Sequence, residues 1–411
     1  MKILYIVSTP IEYSSSANIR NVALIYGLIN LGYQVSILAA RPDENDLYYD
    51  KSINKLNIIK RYYLEISSTH AKFISKKENE KNNFKSRFKK NIKKNVYRLY
   101  NAVSIYDPRK KLTSEINNLT INETFDLIIS SSDPKSSHLI AEKLIQRTPQ
   151  ISKMWLQYWG DPFTIDINNK SLIPRRLIKK EEYRILKKAD KIIYVSPFTL
   201  EKQKQMFPLI KEKFSFLPIP YLKNNKNKIE EKEIENKSIK IFKLGYFGDY
   251  FSKDRNISPL YEAVSILGDN LLICGNSNLE IKKLKNIQIN PRVNLEQVNI
   301  FEKECDLLIC LCNKNSTQIP GKVYHYAGTE KPILIILDGE YKNELREYFQ
   351  QFNRYFLCEN NVDSINKAIR EIKCSKLQFV PSPFFAPDRI AQEIIKLIKN
   401  PTSPNEYKWS E

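Results

Sequence analysis

Glycine is scarce in this sequence: ten glycines occur among 411 residues, and none of them form the G-x-G-x-x-G pattern of dinucleotide-binding loops. A dinucleotide fingerprint is therefore absent. No apolar run is long enough to span a bilayer, and the first residues lack the small-residue cleavage pattern of a signal peptide. Residues 2–8 instead predict a buried first strand. An apolar share of 42% excludes a disordered chain.

Cysteine is missing from the first half of the chain. Three of the six cysteines, Cys305, Cys310 and Cys312, flank or occupy an apolar strand-like run, which favours small buried thiols over zinc ligands. No metal motif is seen, so we expect no metal and no resident cofactor. Without an export signal, the reducing cytoplasm is the expected compartment.

Acidic residues are in deficit, because 46 Asp and Glu face 66 Lys and Arg, for a net charge of +20. Such an excess predicts an anionic partner: nucleic acid, an acidic membrane surface or phosphorylated small molecules. Much of the excess is local. Residues 72–111 contain fourteen basic residues and three acids.

A basic amphipathic helix is predicted at about residues 84–104. Apolar residues recur there every three or four positions, with lysines and arginines between them. The pattern favours contact with an anionic membrane surface. The alternative is a helix that packs on a sheet with solvated charges. Nucleic acid is not expected as a partner, because no zinc finger, RNP-like strand or basic zipper accompanies the charge.

The order of the predicted elements indicates the fold class. Strand 2–8, helix 19–31 and strand 34–40 form a βαβ unit, and similar units recur along both halves of the chain. We therefore predict an α/β protein with two Rossmann-like, doubly wound parallel-sheet domains that face a cleft. The predicted bounds are 1–220 for the N-terminal domain, 221–238 for a linker, 239–386 for the C-terminal domain and 387–411 for a C-terminal helix that packs back on the first domain.

Polar residues follow three predicted strands of the N-terminal domain, at the edge where doubly wound sheets bind ligands. They are Ser14, Ser15, Ser16 and Arg20 after the first strand, Ser132 and Asp133 after another, and Asp161 after a third. Ordinary turn chemistry is the alternative for the serine loop.

Residues 317–326 of the C-terminal domain form a second candidate site. Pro320 suits the first turn of a helix, Gly321 permits close approach of a ligand, and Lys322 places a positive charge at the positive end of the helix dipole. The lysine and the positive end of the helix repel each other, and a phosphate bound between them would relieve this repulsion. Lys322, His325 and Tyr326 then share a helical face. An ordinary loop-to-helix start with a solvated lysine is the alternative.

Taken together, these segments resemble bacterial glycosyltransferases of the GT-B fold, close to family 4. The resemblance covers most of the chain and depends on the order and spacing of seven segments: 2–8 with the following Arg20, 125–132, 159–163, 189–196, 244–248, 254–256 and 320–326. It implies a nucleotide-sugar donor bound mostly by the C-terminal domain. It also implies an acceptor bound mostly by the N-terminal domain, and sugar transfer with retention. Together with the basic helix, it leads us to expect a glycan or lipid-linked acceptor in surface polysaccharide or glycolipid synthesis at the cytoplasmic membrane face.

The resemblance assigns roles to individual residues. Arg255 and Lys322 match the pair that clamps the donor diphosphate, and Gly248 would let a strand-end loop approach the phosphates. Asp161 matches the position that faces the reacting sugar. The family's paired glutamates are replaced by Thr317 and His325, which can accept fewer hydrogen bonds from a ribose. Altered ribose recognition, a divergent branch and loss of catalysis all remain open, so a catalytically silent subunit and a sugar-nucleotide epimerase are the alternatives.

Overall fold

A computed structural model describes residues 1–46, 48–65, 99–100, 102–166, 171–222, 241–282, 284–314 and 318–400. The chain divides into two compact units. Unit 1 comprises Met1–Pro218 with the C-terminal helix from Ile390, and unit 2 comprises Ile219–Arg389. Most of the basic helix predicted at 84–104, most of the predicted linker, and Thr317 lie outside the described residues.

Unit 1 is built on a seven-stranded sheet in the order β3-β2-β1-β4-β5-β6-β7, and all of its pairings are parallel. Apart from β3, its strands are almost wholly buried, because a parallel sheet is covered on both faces. The strands are β1 Lys2–Ile6, β2 Gln34–Ala40, β3 Lys60–Leu64, β4 Leu127–Ser131, β5 Trp155–Trp159, β6 Lys191–Tyr194 and β7 Phe214–Phe216. The helices are α1 Ser16–Asn30, α2 Ser136–Arg147, α3 Arg175–Leu186 and α4 Pro197–Met206.

Unit 2 carries a six-stranded sheet in the order β10-β9-β8-β11-β12-β13, again with parallel pairings. The strands are β8 Lys243–Phe247, β9 Asn270–Cys274, β10 Ile287–Asn290, β11 Leu307–Leu311, β12 Ile333–Leu337 and β13 Phe356–Glu359. The helices are α5 Ser258–Leu267, α6 Leu295–Glu304, α7 Gly321–Ala327, α8 Lys342–Gln350 and α9 Val362–Cys374. Helix α10, Pro387–Lys399, follows and joins unit 1 from Ile390.

Both sheets have the strand order of a Rossmann-like domain, and each therefore has one switch point. It lies between β1 and β4 in unit 1, and between β8 and β11 in unit 2. Ligands of doubly wound sheets bind outside the carboxyl ends of the strands at this point. The predicted fold class of two parallel-sheet α/β domains is confirmed, whereas the shared cleft stays a prediction.

Several elements were not predicted from the sequence. Strand β3 is only partly buried, β7 has three residues, and β10 has one buried residue, Ile287. Such strands lack the apolar run that marks a central strand. No helix in the described ranges is both long enough and apolar enough to cross a bilayer.

Candidate functional site

Arg255 lies across the switch point of unit 2. Its Nε donates to Oδ1 of Asn313 at 2.8 Å, and its Nη1 donates to the carbonyl of Asp249 at 3.2 Å. Asp249 follows β8 and Asn313 follows β11, so the guanidinium is held by the ends of both switch-point strands. This is the edge at which a Rossmann-like sheet binds phosphates. Asn313 was not identified from the sequence, because only the fold brings it to Arg255.

Two glycines shape the backbone beside Arg255. A Cβ on Gly275 would lie 2.0 Å from the carbonyl oxygen of Gly248, so the loops after β8 and β9 pack backbone to backbone. A Cβ on Gly248 would meet nothing nearer than the Tyr246 hydroxyl at 3.6 Å and Arg255 Nη1 at 3.8 Å. A Cβ at Gly248 would therefore fit in ordinary van der Waals contact. Gly275 supports the loop, and Gly248 leaves room beside the guanidinium.

Lys322 does not extend freely into solvent. Its Nζ donates to Oε1 of Glu302 at 2.5 Å, and it lies over the rings of Tyr326 at 5.2 Å and Phe247 at 5.9 Å. Glu302 is on α6, the helix before β11, and is almost fully buried. The sequence suggested that a negative group must sit beside Lys322 and named a phosphate. The structure shows that a carboxylate of the protein already does so.

Glu302 also faces His325. Its Oε2 lies 3.3 Å from His325 Nε2, although that contact lacks the geometry of a hydrogen bond. Burial alone would raise the pKa of Glu302, but Lys322 and His325 outweigh it and lower the pKa to about 2. The carboxylate is therefore ionised at neutral pH. Lys322 and His325 share a helical face, as predicted, and the residue that joins them is Glu302, which the sequence reasoning missed.

Cys310 lies one residue before the end of β11 and is buried. Burial raises the pKa of its thiol well above the usual range, although both Lys322 and Arg255 act to lower it. Both cations are thus close enough to Cys310 to influence the same group. The predicted burial of Cys305, Cys310 and Cys312 is confirmed. Within the described residues, no cluster of His, Cys, Asp or Glu has the arrangement of a metal site.

In unit 1, Arg20 from α1 reaches the switch point between β1 and β4. It is buried, its guanidinium lies 5.0 Å from the ring centre of Tyr158, and Nη2 is 3.5 Å from the Ser131 hydroxyl. A Cβ on Gly160 would lie 2.6 Å from Arg20 Nη1 and 3.1 Å from Asp133 Oδ2. Gly160 therefore makes room for a basic and an acidic side chain at the end of β5.

Asp161 belongs to a cluster of three carboxylates around one ammonium. Lys135 Nζ pairs with Asp133 at 3.1 Å and with Asp166 at 2.7 Å. Burial, together with Asp133 and Asp166, raises the pKa of Asp161 to about 7, against the opposing effect of Lys135 and Arg20. Asp161 thus exchanges its proton near neutral pH. Neither Lys135 nor Asp166 was identified from the sequence, because only the fold brings Asp161 and Asp166 to the lysine that follows Asp133.

The serine loop after β1 is used largely for local structure. Ser15 caps α1 by accepting a hydrogen bond from the backbone N–H of Asn18 at 3.1 Å, and Ser16 begins the helix. The backbone N–H of Ser14 donates to the carbonyl of Tyr48 at 2.8 Å. The Ser132 hydroxyl accepts from the backbone N–H of Gly160 at 3.0 Å. A role for these serines in acceptor binding stays a prediction.

Helix α7 starts at Gly321 and contains seven residues. Its first residue is open, since the nearest atom to an added Cβ is Ile219 Cδ1 at 3.9 Å. Tyr326, which the sequence placed on the ligand face, is fully buried, with its hydroxyl in the interior. The Tyr326 ring packs against the Lys322 ammonium. Donor binding by Tyr326 stays a prediction.

Neither a protein-family model nor a curated protein sequence matches this chain. Solved structures are similar in fold. A glycosyltransferase from Rickettsia africae ESF-5 superposes with a TM-score of 0.51 at 15% identity, over 98% of each chain. A UDP-N-acetylglucosamine 2-epimerase gives 0.51 at 8% identity, over 100% of this chain and 98% of that one. Anabaena Alr3699/HepE, solved in complex with UDP, gives 0.50 at 10% identity, over 97% of this chain and 100% of that one. The chain therefore has the GT-B fold.

Proposed function

We propose that the protein is a glycosyltransferase that moves a sugar from a nucleotide-sugar donor to a glycan or lipid-linked acceptor. The observation that carries this proposal is the position of Arg255 at the switch point of unit 2, with Lys322 close to the same strand ends. Two cations at the carboxyl edge of a Rossmann-like sheet suit a diphosphate. The GT-B fold is compatible with this reading, and a structural relative was solved with UDP bound.

The chemistry of glycosyl transfer explains why two cations are useful here. When the glycosidic bond breaks, the departing nucleoside diphosphate gains negative charge on its terminal phosphate. Arg255 is already oriented by Asn313 and Asp249, so it can stabilise that charge without reorganising. Gly248, which has no side chain, would let the phosphates approach the backbone. Gly321 would provide a second close approach beside Lys322.

Glu302 gives the proposed donor site a distinctive property. It neutralises Lys322 in the ligand-free protein, and an incoming phosphate would compete with it for the ammonium. Glu302 also lies beside His325, the residue that replaces an expected ribose-binding glutamate. We therefore place this chain in a divergent branch of family-4-like enzymes, with altered ribose recognition at Thr317 and His325.

In unit 1, the residues that we propose for the acceptor side are Asp161, Asp133, Ser132 and Arg20, with the loop of Ser14, Ser15 and Ser16. Asp161, with a pKa near 7, suits a hydrogen bond to a sugar hydroxyl or to the acceptor nucleophile. We propose transfer with retention, for which a strong base is not required.

We further propose that the protein works in surface polysaccharide or glycolipid synthesis, as a peripheral protein of the cytoplasmic face of the plasma membrane. The basic helix predicted at 84–104 would supply the contact with anionic lipids. Co-sedimentation with anionic vesicles should fall as salt rises, and when Lys89, Lys90, Lys93 and Lys94 are changed to Glu. Sedimentation that is insensitive to both changes would remove this helix from the proposal.

A panel of nucleotide sugars, with and without acceptors, tests the function. Release of nucleoside diphosphate, with a glycosylated product that keeps the anomeric configuration of the donor sugar, supports a retaining transferase. Binding without turnover across a broad acceptor panel supports the silent subunit that Thr317 and His325 suggest. Conversion of a nucleotide sugar without any acceptor supports the epimerase reading.

A further inference from the structure

Unit 1 contains a surface cavity that plays no part in the sites described above. Its volume is about 370 Å³, within the size range of pockets for small ligands. It lies between α3 and the segment that follows α4, and is lined by Arg176, Lys179, Lys180, Tyr183, Met206, Phe207, Pro208 and Leu209. Its composition is amphiphilic, with cations on one side and apolar side chains on the other.

The cationic side comes from the exposed first half of α3. Arg176, Lys179 and Lys180 are spaced at i, i+3 and i+4, so they share a helical face, and Tyr183 continues it one turn later. The ten residues 171–180 contain four cations and no acid. In the part of the chain that the structure describes, none of the four forms an ion pair. Their charge is available to an anionic ligand.

The apolar side of the cavity consists of two packed aromatic rings and, at its edge, exposed apolar residues. Tyr183 stacks on Phe207 with ring centres 6.0 Å apart, and Lys179 lies 5.8 Å from the centre of the Phe207 ring. Leu209 is 81% exposed and Pro208 is exposed beside it. A large apolar side chain held in water at the edge of a cationic pocket suits a ligand with an apolar portion.

Further exposed apolar residues lie next to the start of α3. Leu172 is 81% exposed, and its backbone N–H donates to the carbonyl of Ala102 at 2.8 Å. Leu99 and Val103, four residues apart on the described end of the predicted basic helix, are 66% and 65% exposed. Loop 171–173 therefore joins the surface of α3 to the end of that helix. Both elements carry basic and exposed apolar residues.

We propose that this cavity binds an anionic phospholipid. Arg176, Lys179 and Lys180 would hold the headgroup phosphate, while Phe207, Pro208 and Leu209 would contact the acyl chains. A free phosphate or a nucleotide would leave the leucine in water, whereas a lipid satisfies both sides of the cavity. The proposal concerns residues of unit 1 alone, and it stands whether or not unit 2 binds a nucleotide sugar.

Monomeric short-chain lipids test the cavity itself. Dihexanoylphosphatidylglycerol, below its critical micelle concentration, should bind the full chain in a calorimetric titration. Dihexanoylphosphatidylcholine and glycerol phosphate should bind at least about tenfold more weakly, since one lacks the net charge and the other the chains. Equal binding of either control compound would overturn the proposal.

Paired variants identify the residues. Arg176→Gln with Lys180→Gln should weaken binding about thirtyfold, at roughly fivefold for each cation. Leu209→Ser should weaken it at least about tenfold. The matched control, Lys285→Gln with Lys376→Gln, makes the same charge change at exposed positions of unit 2 and should leave binding unchanged. An unaltered melting temperature confirms that each variant folds. Wild-type affinity in both pocket variants would contradict the assignment.

Vesicle sedimentation then distinguishes lipid binding at the cavity from membrane contact through the basic helix. In the chain with Lys89, Lys90, Lys93 and Lys94 changed to Glu, residual sedimentation with phosphatidylglycerol vesicles should remain. Adding Arg176→Gln and Lys180→Gln should remove it. If the four glutamates alone abolish sedimentation, the cavity does not contribute to membrane contact and the proposal fails. Nucleoside diphosphate binding, measured in parallel, reports on the donor site separately.

Discussion

Lys322 Nζ lies 2.5 Å from Glu302 Oε1, so the lysine matched to the diphosphate clamp is paired with a buried carboxylate in the ligand-free protein. The pair is neutral as a whole. Arg255, by contrast, donates to the side-chain amide of Asn313 and the backbone carbonyl of Asp249, and within the described residues it forms no ion pair with a carboxylate. In our proposal Arg255 therefore provides the initial attraction for phosphate, and Lys322 joins when the phosphate displaces Glu302.

Replacing Glu302 with Gln tests this competition. Nucleoside diphosphate affinity should rise about three- to tenfold, because the anion that competes for Lys322 is gone. Calorimetric titration measures the change. A fall in affinity would contradict the proposed competition and would show that the carboxylate positions Lys322 for binding.

The same substitution should lower stability. The folded-state pKa of Glu302, about 2, lies below that of an unfolded glutamate, so the carboxylate stabilises the fold above pH of about 4.3. This contribution is lost as pH falls toward 2. Glu302→Gln should reduce the free energy of unfolding at pH 7 by about 1–3 kcal/mol, and the difference should shrink below pH of about 4. Urea unfolding at several pH values provides the measurement.

Truncating the two cations tests the clamp. Arg255→Ala and Lys322→Ala should each weaken nucleoside diphosphate binding by about 1–3 kcal/mol, as expected for a charged hydrogen bond. Lys376→Ala, an exposed lysine of the same unit, serves as the control and should bind like the wild type. Unchanged affinity in either clamp variant would remove that residue from the donor site.

The two neighbouring glycines should behave in opposite ways. The Cβ of Gly248→Ala fits in the ligand-free fold, so the melting temperature of this variant should match the wild type. Its nucleotide affinity should fall about tenfold, because the added methyl group would keep phosphate away from the backbone. Gly275→Ala would place its Cβ 2.0 Å from the Gly248 carbonyl and should lower the melting temperature. Thermal unfolding with and without nucleotide distinguishes the two effects. Full nucleotide affinity in Gly248→Ala would contradict the proposed approach.

Asp161 should make stability depend on pH near neutrality. Its folded-state pKa of about 7 lies above the value of about 3.9 for an unfolded aspartate, so the folded chain holds an extra proton between these values. Stability must therefore fall as pH rises from about 4 to 7. Asp161→Asn should exceed the wild type in free energy of unfolding at pH 8 by about 2 kcal/mol, and match it near pH 4. The exposed Asp363→Asn is the control and should show no such trend.

The sequence predicted those parts of the fold that depend on local pattern. Buried apolar runs marked β1, β4 and β11, and the strand–helix alternation indicated two parallel sheets. The sequence also placed Arg255 and Lys322 in the right unit, because each belongs to a short motif next to a strand. Elements without such a pattern, such as β10, were not found.

The partners of the site residues could not be predicted, because they are set by tertiary packing. Glu302 is an acid on an amphipathic helix, and nothing near it in sequence distinguishes it from a solvated charge. It is twenty residues from Lys322, and only the passage of the chain through β11 brings the two together. Asn313 beside Arg255, and Lys135 among three carboxylates, escaped detection for the same reason.

The most direct test of the proposed function is the release of nucleoside diphosphate from a panel of nucleotide sugars, with lipid-linked and glycan acceptors present. We expect one donor class to be turned over with transfer of its sugar to an acceptor. Turnover should be lost in Arg255→Ala with Lys322→Ala and retained in Lys376→Ala. If no donor is turned over and no nucleoside diphosphate binds, the proposed function is contradicted.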